Sequence, residues 1–144
     1  MNDVVLVTGG FDPVHSGHIN YIRDAKSRGD LLVVGLQSDE WLIAKKATYF
    51  MTFEERKKVL ESIKYVDKVI SFDDSDGTAY NAILKVKNMY NEHRIFFANG
   101  GDRAIDNAPE KESNIPGVEY IWGVGGNKTN SSSSILRAYV EKNK

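Results

Sequence analysis

Two of the chain's three histidines stand three residues apart, as His15 and His18, in the stretch VVLVTGGFDPVHSGHINYI that runs from Val4 to Ile22. They follow an apolar, β-branched run, two glycines and an Asp-Pro turn. If a helix begins near Ser16, both rings sit on its first turn and on one face. Glycines let a ligand close onto the backbone, and the free N–H groups and dipole of a helix start attract anions. Pro13 stiffens the turn. Gly17 is a poor helix former, costing about 1 kcal/mol relative to Ala; the expected reason for it is that a larger side chain would block a ligand lying over the helix end. A metal site is the competing chemistry for paired histidines, but no third His, Cys or nearby Glu completes one, and His93 lies in a helix-to-strand connection. A surface or core role is the bland reading for each ring.

The elements that must position this loop are legible as alternating patterns. Val4 to Val7, Leu31 to Leu36, Lys68 to Phe72, Ile95 to Ala98 and Val118 to Trp122 are short, apolar and β-rich. The second, LLVVGL, is apolar on both faces, as a central parallel strand is. Helical patterns lie between them. GHINYIRDAKSRG places Ile19, Ile22 and Ala25 near one stripe and ends at Gly29, a C-cap signal. TFEERKKVLESI opens with Thr52 and has Glu55 three residues on, the spacing of a capping box. TAYNAILKVKNMY carries Ala79, Ile83, Val86 and Tyr90 at helical spacing. The last helix follows SSSS, with Ile135, Leu136, Tyr139 and Val140 expected inward. Strands alternating with helices predict an α/β fold with a mostly parallel sheet. Such sheets bind ligands beyond the carboxyl ends of their strands, where strand order reverses. Three loops are expected at that edge: Gly9 to Gly17, Asn99 to Pro116 and Gly123 to Ser134.

Bulk composition narrows the classes. The 144 residues suit one domain spanning 1–144, long enough to bury about two-thirds of its unfolded surface. A net charge of −1 with no basic block argues against a nucleic-acid partner. The absence of cysteine excludes disulfides and thiolate zinc sites, and fits a reducing cytoplasm. No segment approaches the roughly 18 apolar residues of a membrane helix, and the polar start MNDVV carries no signal-peptide pattern. A soluble, cytoplasmic protein is the expectation. Other nucleotide folds lack their signatures: no Gly-x-Gly-x-x-Gly follows the first strand, and no Gly-Lys-Ser/Thr is present. DDSDGT fails as a calcium loop, because Gly77 at position six puts Ile83 where Glu belongs; it reads as an acidic turn.

GGFDPVHSGH resembles the His-x-Gly-His signature of the cytidylyltransferase-like nucleotidyltransferase superfamily, which includes the glycerol-3-phosphate cytidylyltransferases and the nucleotidyltransferase domain of ADP-heptose synthase. GDLLVVGLQSDEW, FEERKKVLESIKYVDKVISF and SSSSIL resemble three further stretches of the glycerol-3-phosphate enzymes, in order and at compatible spacing. The resemblance implies a Rossmann-like, doubly wound domain with a five-stranded sheet. It implies transfer of a nucleoside monophosphate from a triphosphate, CTP or ATP, to a small phosphorylated acceptor, with Mg²⁺ accompanying the triphosphate. His15 and His18 are then expected to bond the triphosphate oxygens and stabilise the transition state. Lys45 falls at the family's lysine for phosphates or acceptor; Lys46 is its possible substitute, and a solvated pair is the bland reading of AKKA. Gly9, Gly10 and Phe11 are expected against the nucleotide through their backbone, while Asp12 orders the turn more than it binds ligand. Ser131, Ser132 and Ser133 match the stretch that binds triphosphate; four serines in a row exceed what an N-cap needs. Asp102, in FFANGGDR, aligns with an acidic residue near the nucleoside, and Arg103 is expected toward the acceptor. Arg56 matches an arginine that either holds the acceptor phosphate with its planar fork or pairs with Glu54 or Glu55 on the helix surface.

Two departures stand out. The glycerol-3-phosphate enzymes carry an arginine some five residues before their serine stretch, where this chain has glycine near Gly126; Lys128 is the cation that can replace it. The segment GDRAIDNAPEKESNIPG is longer and more polar than its counterpart, and resembles the GGD region of the ADP-heptose domains, which use ATP. CTP is favoured over ATP. Glycerol phosphate and sugar or polyol phosphates are all admissible acceptors. The family implies a homodimer. A catalytically silent nucleotide-binding module is the alternative from another class, and both histidines, the lysine and the serines argue against it.

Overall fold

The computed structural model describes residues 2–100, 115–126 and 131–143. In chain order the elements are β1 (Asp3–Gly9), α1 (Ser16–Ser27), β2 (Leu31–Leu36), α2 (Asp39–Lys46), α3 (Phe53–Glu61), β3 (Lys68–Ile70), α4 (Tyr80–Met89), β4 (Arg94–Gly100), β5 (Val118–Val124) and α5 (Ser132–Lys142). The five strands form one sheet in the order β3-β2-β1-β4-β5, every neighbouring pair parallel. The expected α/β class is therefore present. β1 is flanked by β2 on one side and β4 on the other, so strand order reverses at β1. Its carboxyl end, the Gly9–His15 loop, opens at the switch point where doubly wound sheets take their ligands.

The core has two layers because the strand period is two. Val5 and Val7 of β1 face a cluster with Ile22 and Ala25 of α1 and Leu60 of α3. Val4 and Leu6 face the opposite cluster, with Ala82, Ile83 and Val86 of α4. All four β1 side chains are fully buried, which requires the apolar run on both faces that the sequence displays.

Several boundaries differ from expectation for local reasons. β3 stops at Ile70, before the turn at residues 73–78. There Asp73 accepts from the Ser75 amide and Asp76 from the Thr78 amide, and each pulls the chain into an Asx-type turn. α2 was not anticipated, although its signals are ordinary: Ser38 caps the Trp41 amide, Asp39 and Glu40 occupy the first turn, and Lys45 and Lys46 the last. Gly29 is not a left-handed C-cap. It permits close packing, since a Cβ there would stand 2.7 Å from Val5 Cγ2. Thr52 does cap α3, its hydroxyl accepting from the Glu55 amide. On α5, Tyr139 and Val140 are exposed and not inward; among the described residues of that helix, Ser132 is the one the fold buries.

Candidate active site

The β1–α1 loop is organised by the histidines themselves. His15 is the N-cap of α1, and its Nδ1 accepts from the Gly17 amide at 3.0 Å. His18 is at the third helical position, and its Nδ1 accepts from the His15 amide at 3.2 Å. Together they form a capping box built from imidazoles in place of the usual Ser and Glu. An Nδ1 that accepts carries no proton, so each neutral ring bears its proton on Nε2 and presents that nitrogen as a donor. The rings stack with centroids 3.9 Å apart, and Phe11 lies against His18 at 4.9 Å. Phe11 reaches this place through a left-handed backbone, φ 51°, with its ring buried beside Gly9. Gly17 also serves the protein's own packing: a Cβ there would come within 2.8 Å of His15 Cε1.

Asp12 orders more than its own turn. It is buried, and its two carboxylate oxygens accept the Phe50 and Met51 amides, each at 2.6 Å. The β1–α1 loop is thereby bound to the α2–α3 connection. Gly10 packs under α2, where a Cβ would meet Leu42 Cδ2 at 2.8 Å. Lys45, near the end of α2, sits 4.6 Å over the Trp41 ring, and the Trp41 indole N–H donates to the Gly77 carbonyl.

Arg56 departs from both roles expected of it. Its side chain has no exposed surface and its ion pair is with Asp39 at 2.6 Å, not with Glu54 or Glu55. Its other donors go to the carbonyls of Met51, Gly10 and Gln37. A guanidinium enclosed by backbone is not placed to touch an acceptor phosphate. It holds three loop segments from beneath.

The serines divide their tasks. Ser131 is the N-cap of α5, its hydroxyl accepting from the Ser134 amide. Ser132 is buried, and its hydroxyl donates to the Pro13 carbonyl at 2.8 Å. Ser133 is half-buried. The Ser132–Pro13 bond brings the start of α5 against the start of α1. Two helix N-termini, each carrying partial positive charge, therefore open on one place beside both histidines. Asp102, Arg103 and Lys128 lie outside the described residues.

Gly125, just after β5, is held on the flank of α1, a contact sequence reasoning missed. Asp24 accepts the Gly125 amide at 2.7 Å and pairs with Arg28. In sequence, Asp24 and Arg28 read as an ordinary i,i+4 surface pair, and nothing local signals the distant partner. Gly125 has φ 84°, and a Cβ there would lie 2.8 Å from Tyr21 Cα. Left-handed geometry alone costs a β-carbon about 1–2 kcal/mol. Gly125→Ala is expected to lose at least that much stability in urea denaturation, because the obstacle is helix backbone that cannot rotate away.

The Arg28 hydrogen bond, and after it the Gly125 amide, hold Asp24 below its ordinary carboxylate value, against a smaller opposing effect of burial. At Asp67 burial opposes ionisation most, but the Lys26 hydrogen bond, the Leu32 amide and the Lys26 charge together outweigh it and leave this group lowered too. A carboxylate with a lowered folded value stabilises the fold above its unfolded value, and that stability is lost as pH falls through the folded one. Acid is therefore expected to weaken the protein below about pH 4. In denaturation at pH 5 and pH 3, Asp24→Asn is expected to narrow the difference between the two.

Among the described residues no group of three or more His, Cys, Asp or Glu side chains could hold a metal ion. No helix among them is long and apolar enough to cross a membrane.

Known proteins are similar to this chain in sequence and in fold. The chain is 44% identical to glycerol-3-phosphate cytidylyltransferase of Bacillus subtilis over 46% of its own length and 51% of the relative's. It is 34% identical to the bifunctional protein HldE of Geobacter sulfurreducens over 96% of its length and 28% of that protein. It spans about half of the first of these relatives and less than a third of the second. The crystal structure of the lipopolysaccharide core biosynthesis protein from Thermoplasma volcanium superposes with a TM-score of 0.68 at 23% identity, over 90% of this chain and all of that one, and so has the same fold. The cytidylyltransferase-like family model matches residues 6–138, nearly the whole chain including both histidines, Lys45 and the serine-rich start of α5. This chain belongs to the cytidylyltransferase-like family.

Proposed function

We propose that this chain transfers a nucleoside monophosphate, CMP in the favoured reading, from a nucleoside triphosphate to a small phosphorylated acceptor such as glycerol 3-phosphate or a sugar or polyol phosphate. The observation that carries the reading is the junction of α1 and α5. Two helix N-termini meet through Ser132 and Pro13, and two imidazoles with donor Nε2 atoms stand at that place. This suits a polyphosphate, whose charge is met by helix dipoles and N–H donors.

In this reading an acceptor phosphate oxygen attacks the α-phosphorus in line. A new P–O bond forms, the bond from the α-phosphorus to the bridging oxygen breaks, and pyrophosphate leaves with that electron pair. No covalent enzyme intermediate is required, so the protein contributes orientation and charge stabilisation. His15 and His18 donate from Nε2 to oxygens that gain charge in the transition state. Lys45 neutralises phosphate charge from the α2 side. The backbone of Gly9, Gly10 and Phe11 lies along the nucleotide, and Ser133 and the α5 amides face the triphosphate. Mg²⁺ enters with the triphosphate as part of the substrate. CTP is favoured because the glycerol-3-phosphate and ethanolamine-phosphate cytidylyltransferases are among the relatives. The GGD stretch, similar to that of ADP-heptose enzymes, supports ATP as the second reading. We infer a cytoplasmic homodimer, to which the exposed Tyr139 and Val140 on α5 offer an apolar contact.

The test is a thermal-shift panel with Mg²⁺ and CTP, ATP, GTP or UTP, followed by pyrophosphate release with glycerol 3-phosphate. A triphosphate at 100 times its Kd adds about 2.7 kcal/mol of stability. A shift with one triphosphate and acceptor-dependent pyrophosphate release support the reading. Binding without turnover over a panel of phosphorylated acceptors would favour the silent module. No shift with any triphosphate would overturn both.

A further inference from the structure

Two buried charges beside the proposed site have no direct part in the chemistry above. Asp12 is 2% exposed and Arg56 has no exposed surface. They do not pair with each other. They share Met51, whose amide donates to Asp12 Oδ1 at 2.6 Å and whose carbonyl accepts from Arg56 Nε at 3.0 Å. The Phe50 amide donates to the other Asp12 oxygen at 2.6 Å. Arg56 Nη1 donates to the carbonyls of Gly10 at 3.0 Å and Gln37 at 2.7 Å, and Nη2 pairs with Asp39 at 2.6 Å. Residues 10–12, 37–39 and 50–51 come from three connections, all at the carboxyl edge of the sheet. Buried charge pairs seldom raise stability above what an apolar pair of the same size gives, and fixing one arrangement is the better-attested use.

We propose that Asp12 and Arg56 are positioning residues that set α2, and with it Lys45, in register with the histidine loop. Asp39 is the first residue of α2, so the guanidinium anchors the helix at its start. Lys45 lies six residues on, about 9 Å along the axis, and a small tilt at Asp39 becomes a displacement at its ammonium. Gly10 and Asp12, on the other side of the same anchor, lead directly into His15. Only a planar fork with five donors serves four acceptors in this geometry; a lysine ammonium has three. This inference rests on the proposed transferase reading for the role of Lys45, though the anchoring itself can be read without turnover.

The test uses the full chain as Arg56→Lys, with Asp12→Asn as the second variant should the first not fold. Hydrogen exchange is expected to rise tenfold or more at the Phe50 and Met51 amides and across α2, with β1 and α4 unchanged. A uniform rise, or none at residues 50–51, would overturn the proposal. With MgCTP or MgATP and glycerol 3-phosphate as probe, kcat is expected to fall about tenfold at nearly unchanged KM, and by less than twofold when the change is made in a Lys45→Ala background. Independent, multiplying losses would sink the coupling to Lys45. A raised KM for glycerol 3-phosphate at unchanged kcat would make Arg56 an acceptor contact instead. If the wild type turns over neither triphosphate, the transferase reading fails by itself, and the exchange pattern alone decides whether the anchor exists.

Discussion

Replacing His18 by glutamine is expected to lower kcat by about 10²–10³ while leaving the fold intact. The two effects separate because the ring's two nitrogens have different tasks. Nδ1 accepts from the His15 amide and completes the cap of α1. Glutamine at the third helical position performs that task with its side-chain oxygen, as in ordinary capping boxes. Nε2 is the donor that the proposed transition state needs, and glutamine placed for the cap has none in that position. A melting temperature near that of wild type, together with the loss in pre-steady-state turnover, would assign the loss to chemistry. Equal turnover would remove His18 from the mechanism. A large fall in stability would show that the cap depends on the imidazole ring itself.

Arg56→Met is the substitution expected to cost the most stability. Methionine fills much of the space but leaves the Asp39 carboxylate and the Met51, Gly10 and Gln37 carbonyls without their donor. Removing one partner of a fully buried ion pair costs about 3–5 kcal/mol. The Asp39 side chain keeps 26% of its exposure, so a loss near the lower end, about 3 kcal/mol, is expected, which in a chain of this size lowers the melting temperature by about 10 °C. Differential scanning calorimetry reads it directly. A surface arginine paired with Glu54 or Glu55 would show less than about 1 kcal/mol, so the measurement also separates the observed placement from the surface pairing that sequence alone allowed.

The centre of the sheet was readable because β1 and β2 are buried on both faces. LLVVGL admits few other interpretations, and the β2 bounds agree with the run. The frame of the histidine loop was readable because a strand, glycines and a helix start follow one another in sequence, and β1 and α1 take those places. Less visible was what each polar group does once the chain closes. Gly17 makes room for His15, Ser132 holds Pro13, and Asp24 holds Gly125; each partner is set by the packing of elements far apart in sequence or by a ring rotamer. Arg56 is the clearest case. Its neighbours Glu54 and Glu55 suggest a solvated helix face, and only the convergence of three loops makes that position interior. The outward turn of Tyr139 and Val140 has a similar cause: helical period shows that a stripe exists, but not whether the monomer has a surface to cover it.

The imidazole capping box also bears on how the two histidines are to be counted. His18's ring holds the His15 amide, while His15's ring holds the Gly17 amide and stacks on His18. Each ring thus contributes to the orientation of the other. Removing the second after the first should therefore cost far less than the product of the two single losses, as with groups that act as one unit. By that measure, in the proposed reaction His15 and His18 would act as a single divided group with two donor nitrogens.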